Sequence, residues 1–255
     1  VRKWMNSAQE AFSALGHTSQ RYPFSEKELD DLQALRRGIF AKAEISKDEC
    51  IREPSVFFAI PACAGQLTAN DFGKYVELIS QKNIPAGSPV LAADTRRADN
   101  RETVEKIVNQ VREFLKKTHL PLPSQIDLEI SHHYGVENFF TTGAVLLNCV
   151  NRKYCKKLVV LLPGQSHPEH WHKIKEETFH VQHGEMTMDL DGESRTYRAG
   201  ELILVPRGAK HSFATTEGVI FEEISSTHRK SDSFYSDESI MQNANRKTFL
   251  THWME

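Results

Sequence analysis

Apolar and polar positions along this chain follow two rhythms, and the places where the rhythm changes divide it. Residues 1 to about 16 place Trp4, Ala8, Ala11, Phe12 and Leu15 on one face at helical spacing, with Gly16 closing the run. A second helical pattern runs from Ser25 to Leu32 and opens on a Ser-x-x-Glu capping box, Ser25 and Glu28. From Ile39 the period drops to two: Ile39, Ala41 and Ala43 alternate with Phe40, Lys42 and Glu44, and Ser46-Lys47-Asp48 reads as a turn. Residues 98–117 return to the helical period, with Val104, Ile107, Val108, Val111, Phe114 and Leu115 as an apolar stripe and Pro121 and Pro123 beyond it. From Gln125 to about Thr227 the pattern is mostly strands. Within it, residues 156–164 (K-K-L-V-V-L-L-P-G) read as a buried strand, and Asp191-Gly192 predicts a type I′ hairpin. The tail carries Phe234 and Tyr235 and a predicted helix over Ser239–Trp253, placed to cover the mouth or cap an end of whatever the strands build.

The stretch Gly164–Gly184 (G-Q-S-H-P-E-H-W-H-K-I-K-E-E-T-F-H-V-Q-H-G) concentrates the chemistry. Side chains alternate across a strand, so His170 and His172 point to one side and Trp171 to the other. A turn after His172 brings Glu177 onto a second strand beside them. A later run, Gly200-(five residues)-Pro206-x-Gly208-(two residues)-His211, has the punctuation of another hairpin that presents His211 to the same cavity. Three imidazoles and one carboxylate form a half-shell for a divalent transition metal, with coordination positions left open. His183 shares strand parity with Glu177 and is a candidate to line the cavity, whereas His180 should point outward. His132 and His133 lie outside any ligand spacing and read as structural or surface residues. Adjacent Glu222 and Glu223 sit on the strand around residues 219–228, where alternation sends one in and one out without saying which. That inward carboxylate is a candidate general base, and Lys157, Lys156 and Lys173 are candidates to hold an oxyanion or a hydroxyl group.

These two histidine-bearing stretches resemble the signature motifs of the cupin superfamily, a small β-barrel or jelly roll. The resemblance implies His170, His172, Glu177 and His211 as ligands. From about Glu129 to Trp253 the chain also resembles the D-lyxose isomerase family of cupins. The residues that carry this are S-H-H-Y-G, N-C-V-N-R-K-Y-C-K-K-L-V-V-L-L-P-G-Q, E-H-W-H-K-I-K-E-E-T-F-H-V and F-E-E-I-S-S-T-H. It implies aldose–ketose isomerisation of a small-molecule sugar with a divalent metal, commonly manganese, with zinc, iron, nickel or cobalt as alternatives.

Residues 23–97 resemble the antifreeze-like (SAF) domain of sialic acid synthases, through residues 35–51 (L-R-R-G-I-F-A-K-A-E-I-S-K-D-E-C-I), 59–72 and 84–91. Gly38 stands where that family has serine and Asp48 where it has glycine. The family's substrate-reaching arginine has no counterpart at Ile60-Pro61, although Arg36, Arg37 and Arg52 are nearby. The expected fold class is therefore mainly β with helical segments (α+β), a small SAF or β-clip-like domain followed by a cupin barrel. The expected division is a helical linker at 1–22, the SAF domain at 23–97, a connecting helix and linker at 98–123, the cupin at 124–230 and a helical tail at 231–255.

Bulk properties narrow the partners. A chain of 255 residues has room for two domains, and a net charge of −2 gives no reason to expect nucleic acid or an anionic membrane surface. No apolar run is long enough to span a bilayer. Cys50, Cys63, Cys149 and Cys155 show no C-x-x-C spacing and no secretion signal is visible, which fits reduced thiols in the cytoplasm. Because the chain opens on Val1 inside a helical pattern, it reads as a piece of a longer synthase-type protein whose upstream (β/α)₈ barrel would be a partner. The synthase resemblance further implies a homodimer. Three functions stay open: a sugar isomerase, a non-catalytic sugar-sensing module of the synthase, and a metal-dependent oxygenase.

Overall fold

The computed structural model describes residues 1–16, 23–229, 231–243 and 245–254. They fall into two units, Val1–Asp99 and Asn100–Glu255. Helices α1 (Arg2–Ala14) and α2 (Glu26–Ala34) open the first unit. The predicted capping box is formed: the Glu28 amide donates to Ser25 Oγ at 3.3 Å, and the Ser25 amide donates to the Glu28 carboxylate at 2.7 Å. Two amides that the helix cannot pair internally are thereby satisfied. Neither helix buries a residue, and Trp4 stays 86% exposed. The rest of the predicted linker helix, residues 17–22, lies outside the described residues.

Strand β1 (Gly38–Ala41) keeps the predicted alternation, with Ile39 and Ala41 buried, but it stops short of Ala43, which is exposed. The chain then turns through Asp48 at φ +65°. β2 (Cys50–Ile51), β3 (Val56–Ala59), β4 (Val76–Ser80) and β5 (Thr95–Asp99) follow. β1 pairs with β3, and β2, β4 and β5 make a three-stranded antiparallel sheet. A small core of Ile39, Ile45, Ile51, Val56, Leu78, Ile84 and Val90 holds this unit together. Because β5 takes residues 95–99 into that sheet, the helix predicted from residue 98 begins later, at Arg101.

The second unit opens with that helix, α3 (Arg101–Thr118), which buries Val104, Ile107, Val108, Val111 and Leu115. These are five of the six residues of the predicted stripe, Phe114 being half-buried, and the chain leaves the helix through His119 in the left-handed conformation, φ +54°. Eleven strands follow: β6 (Asp127–Ser131), β7 (Ala144–Asn151), β8 (Tyr154–Leu161), β9 (Ser166–Trp171), β10 (Glu177–Leu190), β11 (Glu193–Arg198), β12 (Leu202–Val205), β13 (His211–Ala214), β14 (Val219–Ser226), β15 (Phe234–Tyr235) and β16 (Lys247–Leu250). They form one curled sheet in the order β15-β9-β13-β10-β14-β8-β7-β6-β16, with β11 and β12 also pairing with β10. The unit is mainly β, and its curl is the jelly-roll arrangement. The concave side is filled by Phe179, Val181, Met186, Met188, Phe213, Phe221 and neighbours. The β10–β11 hairpin turns at Asp191-Gly192, φ +51° and +88°, as the type I′ signal requires.

Two expectations are corrected here. Instead of one helix over Ser239–Trp253, the described tail holds a short helix α4 (Glu238–Gln242) and then strand β16, which pairs with β6 from Lys247↔Ser131 to Leu250↔Leu128. Thr248, Phe249 and Leu250 favour a pleated surface, and β16 supplies hydrogen-bond partners to the exposed side of β6. The second correction is in β10. A bulge between Val181 and His183 shifts the register, so Glu177, Phe179 and Val181 face inward before it and Met186 and Met188 after it. His183 therefore loses parity with Glu177 and meets the Phe114 ring of α3 at 5.7 Å, outside the barrel.

Candidate metal centre

Four side chains from three strand ends converge inside the barrel. His170 lies near the end of β9 and pairs across the ladder with His211, the first residue of β13, which brings their rings to 4.0 Å. His172 follows two residues after His170 on the same face. Residues 173–176 reverse the chain so that β10 starts with Glu177 alongside. Glu177 Oε2 is 3.3 Å from His211 Nε2, and Glu177 Oε1 is 3.5 Å from His172 Nε2. One donor atom from each of His170, His172, Glu177 and His211 lies within 4.8 Å of all the others, and all four residues are buried.

Each imidazole is oriented from behind. Nδ1 of His170 bonds the Pro168 carbonyl at 3.1 Å, Nδ1 of His211 the Ala209 carbonyl at 3.0 Å, and Nδ1 of His172 the Asp232 carbonyl. A carbonyl oxygen only accepts, so Nδ1 carries the hydrogen and each Nε2 is left with a lone pair aimed inward. Burial, reinforced by the neighbouring imidazoles, pushes the His170 pKa well below its ordinary value, and burial likewise lowers that of His172. Burial opposes ionisation of Glu177. The Lys175 charge leads the effects that outweigh it and hold the carboxyl well below the usual carboxylate range. His211 Nε2 and Glu177 Oε2 have no hydrogen-bond partner among the described residues. A buried polar atom left unpaired costs roughly 1–3 kcal/mol. Three neutral nitrogen donors, one anionic oxygen and two orphaned atoms facing one point fit a divalent transition metal.

The cluster opens onto a narrow cavity with an apolar wall of Leu146, Val159, Phe179, Phe213 and Phe221 and a charged wall of Glu129, Lys157, Lys175, Glu223 and Lys247. Glu223 is 6% exposed and accepts from Lys175 Nζ at 2.9 Å; the same ammonium contacts Glu177. Burial opposes the charged form of Glu223, but Lys157 and Lys175 together hold its pKa below the ordinary value. For Lys175 burial works against the ammonium, while Glu223 and Glu177 raise its pKa. At the far end Lys247 bonds Glu129 at 2.5 Å, and the Lys247 and Lys157 charges overcome burial to lower the Glu129 pKa. His228 and Tyr235 complete the rim. Burial and the charges of Lys157 and Lys175 bring His228 down to about 4, and burial takes Tyr235 up to about 12.

The other candidate residues are placed apart from this cavity. Alternation on β14 sends Glu223 inward and Glu222 outward, where Lys156 Nζ meets Glu222 at 2.6 Å on the outer face. Lys157 is 3% exposed and lines the cavity, so of the adjacent lysines on β8 only the odd-numbered one faces in. Lys173 is exposed, with its ammonium 4.5 Å from the Phe234 ring centroid. Glu222, Lys156, Lys173 and His183 thus have no contact with the cavity, for reasons of strand parity, a turn and a bulge. His132 and His133 are buried, and the His133 ring packs on His167 at 4.5 Å and on Tyr235 at 5.2 Å.

Sequence reasoning missed Lys175, Glu129, Lys247 and Asp232. Lys175 had a signal, since it stands two residues before Glu177 and shares its parity. Glu129 and Lys247 come from strands 118 positions apart (247 − 129) that meet only through the β6–β16 pairing.

Residues 157–222 match the family model "Cupin domain". The chain is 28% identical over 162 residues to a D-lyxose ketol-isomerase of Cohnella laeviribosi, covering 52% of this chain and 89% of that protein. It is 29% identical over 168 residues to a D-lyxose/D-mannose isomerase of Thermosediminibacter oceani, covering 54% of this chain and 92% of that protein. The crystal structure of Geodermatophilus obscurus L-ribose isomerase is 13% identical, with a TM-score of 0.48, and the match covers 57% of this chain and 96% of that one. Residues 157–222, within the second unit, thus match a cupin domain, and the chain is similar in sequence to sugar isomerases.

Proposed function

We propose that the second unit is a metal-dependent aldose–ketose isomerase acting on a small sugar of the D-lyxose or D-mannose class. The observation that carries this reading is Glu223, a buried carboxylate paired with Lys175 in the same cavity as the three-histidine, one-glutamate cluster. His170, His172, Glu177 and His211 would hold the ion, which supplies Lewis-acid polarisation of adjacent sugar oxygens. Manganese is the ion of choice, with zinc, iron, nickel or cobalt as alternatives.

The protein's own part is proton traffic and charge placement. Isomerisation moves the C2 hydrogen to C1 and the O2 hydroxyl hydrogen to O1, with no net oxidation. Glu223, held ionised by Lys157 and Lys175, takes the C2 proton and returns it at C1. Lys175 and Lys157 are charged donors beside it, placed to steady the negative charge that builds on the oxygens. The apolar wall of Phe179, Phe213 and Phe221 keeps the cavity poor in water, which strengthens each of these interactions. Glu129 and Lys247, at the far end, face the remaining hydroxyl groups.

On the motifs of residues 23–97 we read the first unit as an antifreeze-like domain, and the chain as the C-terminal part of a synthase-type cytoplasmic homodimer with a (β/α)₈ barrel upstream. The test of the isomerase reading is proton NMR of the manganese-loaded protein in heavy water with D-lyxose, D-mannose and N-acetylmannosamine. Loss of the C2 proton signal and growth of ketose, both abolished by His170→Ala, is the expected result. Sugar binding without exchange would overturn catalysis and leave a sugar-sensing module.

A further inference from the structure

The strand reversal that carries the cluster from His172 to Glu177 contains no glycine or proline, so its own sequence does not set its shape. Its shape comes from 60 positions away (232 − 172). The Asp232 carboxylate, 4% exposed, accepts from the Lys173 amide at 3.0 Å, from the Ile174 amide at 3.1 Å through either oxygen, and from the Lys175 amide at 2.8 Å. Three consecutive N–H groups pointing at one anion form a concave anion nest, here filled by a side chain of the same chain. The Asp232 main-chain carbonyl meanwhile accepts from His172 Nδ1. One residue thus fixes both the loop between two ligands and the ring orientation of the first of them. The segment continues into β15, where Tyr235 pairs with His170, so the connection after β14 is strapped across the ligand strand at two points.

We infer that Asp232 is the positioning residue of the metal centre, holding His172 and Glu177 at binding distance before an ion arrives. The inference rests on the metal reading of the four ligands and not on the identity of the sugar. Without the carboxylate, three buried or half-buried amides lose their acceptor and the loop relaxes to pair them elsewhere, carrying Glu177 and Lys175 with it. Residues that orient metal ligands typically cost 10–100-fold in metal affinity when removed.

The test is calorimetric titration of Mn²⁺ and Co²⁺ into metal-free wild type, Asp232→Ala, Asp232→Asn and a control, Val160→Ala, which thins the fully buried core of β8 away from the cavity. Asp232→Ala should weaken both ions by about 10–100-fold. Asp232→Asn keeps the volume and one acceptor oxygen and should weaken them less, with the Co²⁺ absorption spectrum altered in both. It also decides the matter if Asp232→Ala does not fold. Val160→Ala should lower the melting temperature without changing either affinity. Affinities of both Asp232 variants within twofold of wild type would overturn the inference, as would an equal loss in Val160→Ala. A wild type that binds neither ion would instead sink the metal reading itself.

Discussion

Replacing Glu223 by glutamine removes the proton acceptor while leaving nearly everything else in place. The amide fills the same volume and keeps an oxygen for Lys175 Nζ, 2.9 Å away, and Lys175 retains Glu177 as an ionic partner. A positioned general base contributes typically 10²–10⁴ in rate, so kcat should fall by about that factor, or ~3–5 kcal/mol on the barrier, with KM changed little. The stability cost is that of weakening one hydrogen bond to a charged group, about 1–3 kcal/mol, and the protein should remain folded at room temperature. Exchange of the C2 proton for deuterium, followed by proton NMR on manganese-loaded protein, measures the chemical step directly. Glu222→Gln is the matched control, one residue along the same strand. Its carboxylate faces outward to Lys156, a half-exposed pair worth under about 1 kcal/mol, and exchange should proceed at the wild-type rate. Exchange in Glu223→Gln within tenfold of wild type would refute the assignment, and so would an equal loss in Glu222→Gln.

Three further outcomes are expected. Gly184 has φ +76°, and a Cβ there would lie 2.1 Å from the Gly218 carbonyl oxygen, so Gly184→Ala should cost about 2–4 kcal/mol; a thermal melt displaced by less than 2 °C would contradict this. Burial keeps His228 neutral down to about 4 and lowers His132 in the same direction. The unfolded value of His228 lies near 6.5, so between about pH 6.5 and 4 the unfolded chain binds more protons there and stability falls as pH falls, by up to ~1.4 kcal/mol per unit, with His132 acting in the same direction. A metal-free melting temperature that stays flat from pH 7 to 5 would show that these histidines are already charged in the fold. Adding Mn²⁺ at about 100 times its Kd to chelator-stripped protein should stabilise it by about 2.7 kcal/mol, seen as a rise of several degrees in the melt that His170→Ala abolishes.

What was legible in the sequence follows from how local the determinant was. His170 lies near the end of β9 and His172 one residue past it, and parity alone puts them on one face. The Asp191-Gly192 turn and the Ser25/Glu28 box are equally local, and both formed as read. Parity fails where an extra residue enters the ladder: the bulge after Val181 carries His183 from the cavity side to α3, and no composition signal marks it, because bulges are set by how the partner strand β14 pairs. Parity also leaves a sign undetermined, as with Glu222 and Glu223, until a neighbour's inward set is known; once β8 buries Cys155, Lys157 and Val159, its partners on β14 follow.

Taken alone, the last stretch of the tail predicts a helix. Its strand character is conferred by β6, whose Asp127–Ser131 segment needs a partner along its free side, and that same pairing delivers Lys247 to Glu129 inside the cavity. The same long-range pairing thus determines both a strand and two cavity residues. Asp232 was hidden for a related reason: its partners are backbone amides, which every sequence supplies, so no residue type in the 173–175 stretch announces that an anion is needed there. The four converging side chains could be named from spacing, but the groups that aim the three imidazoles are main-chain carbonyls at Pro168, Ala209 and Asp232. That second layer is readable only after the strands have been put side by side, and it is where changes distant in sequence should act most strongly on the metal.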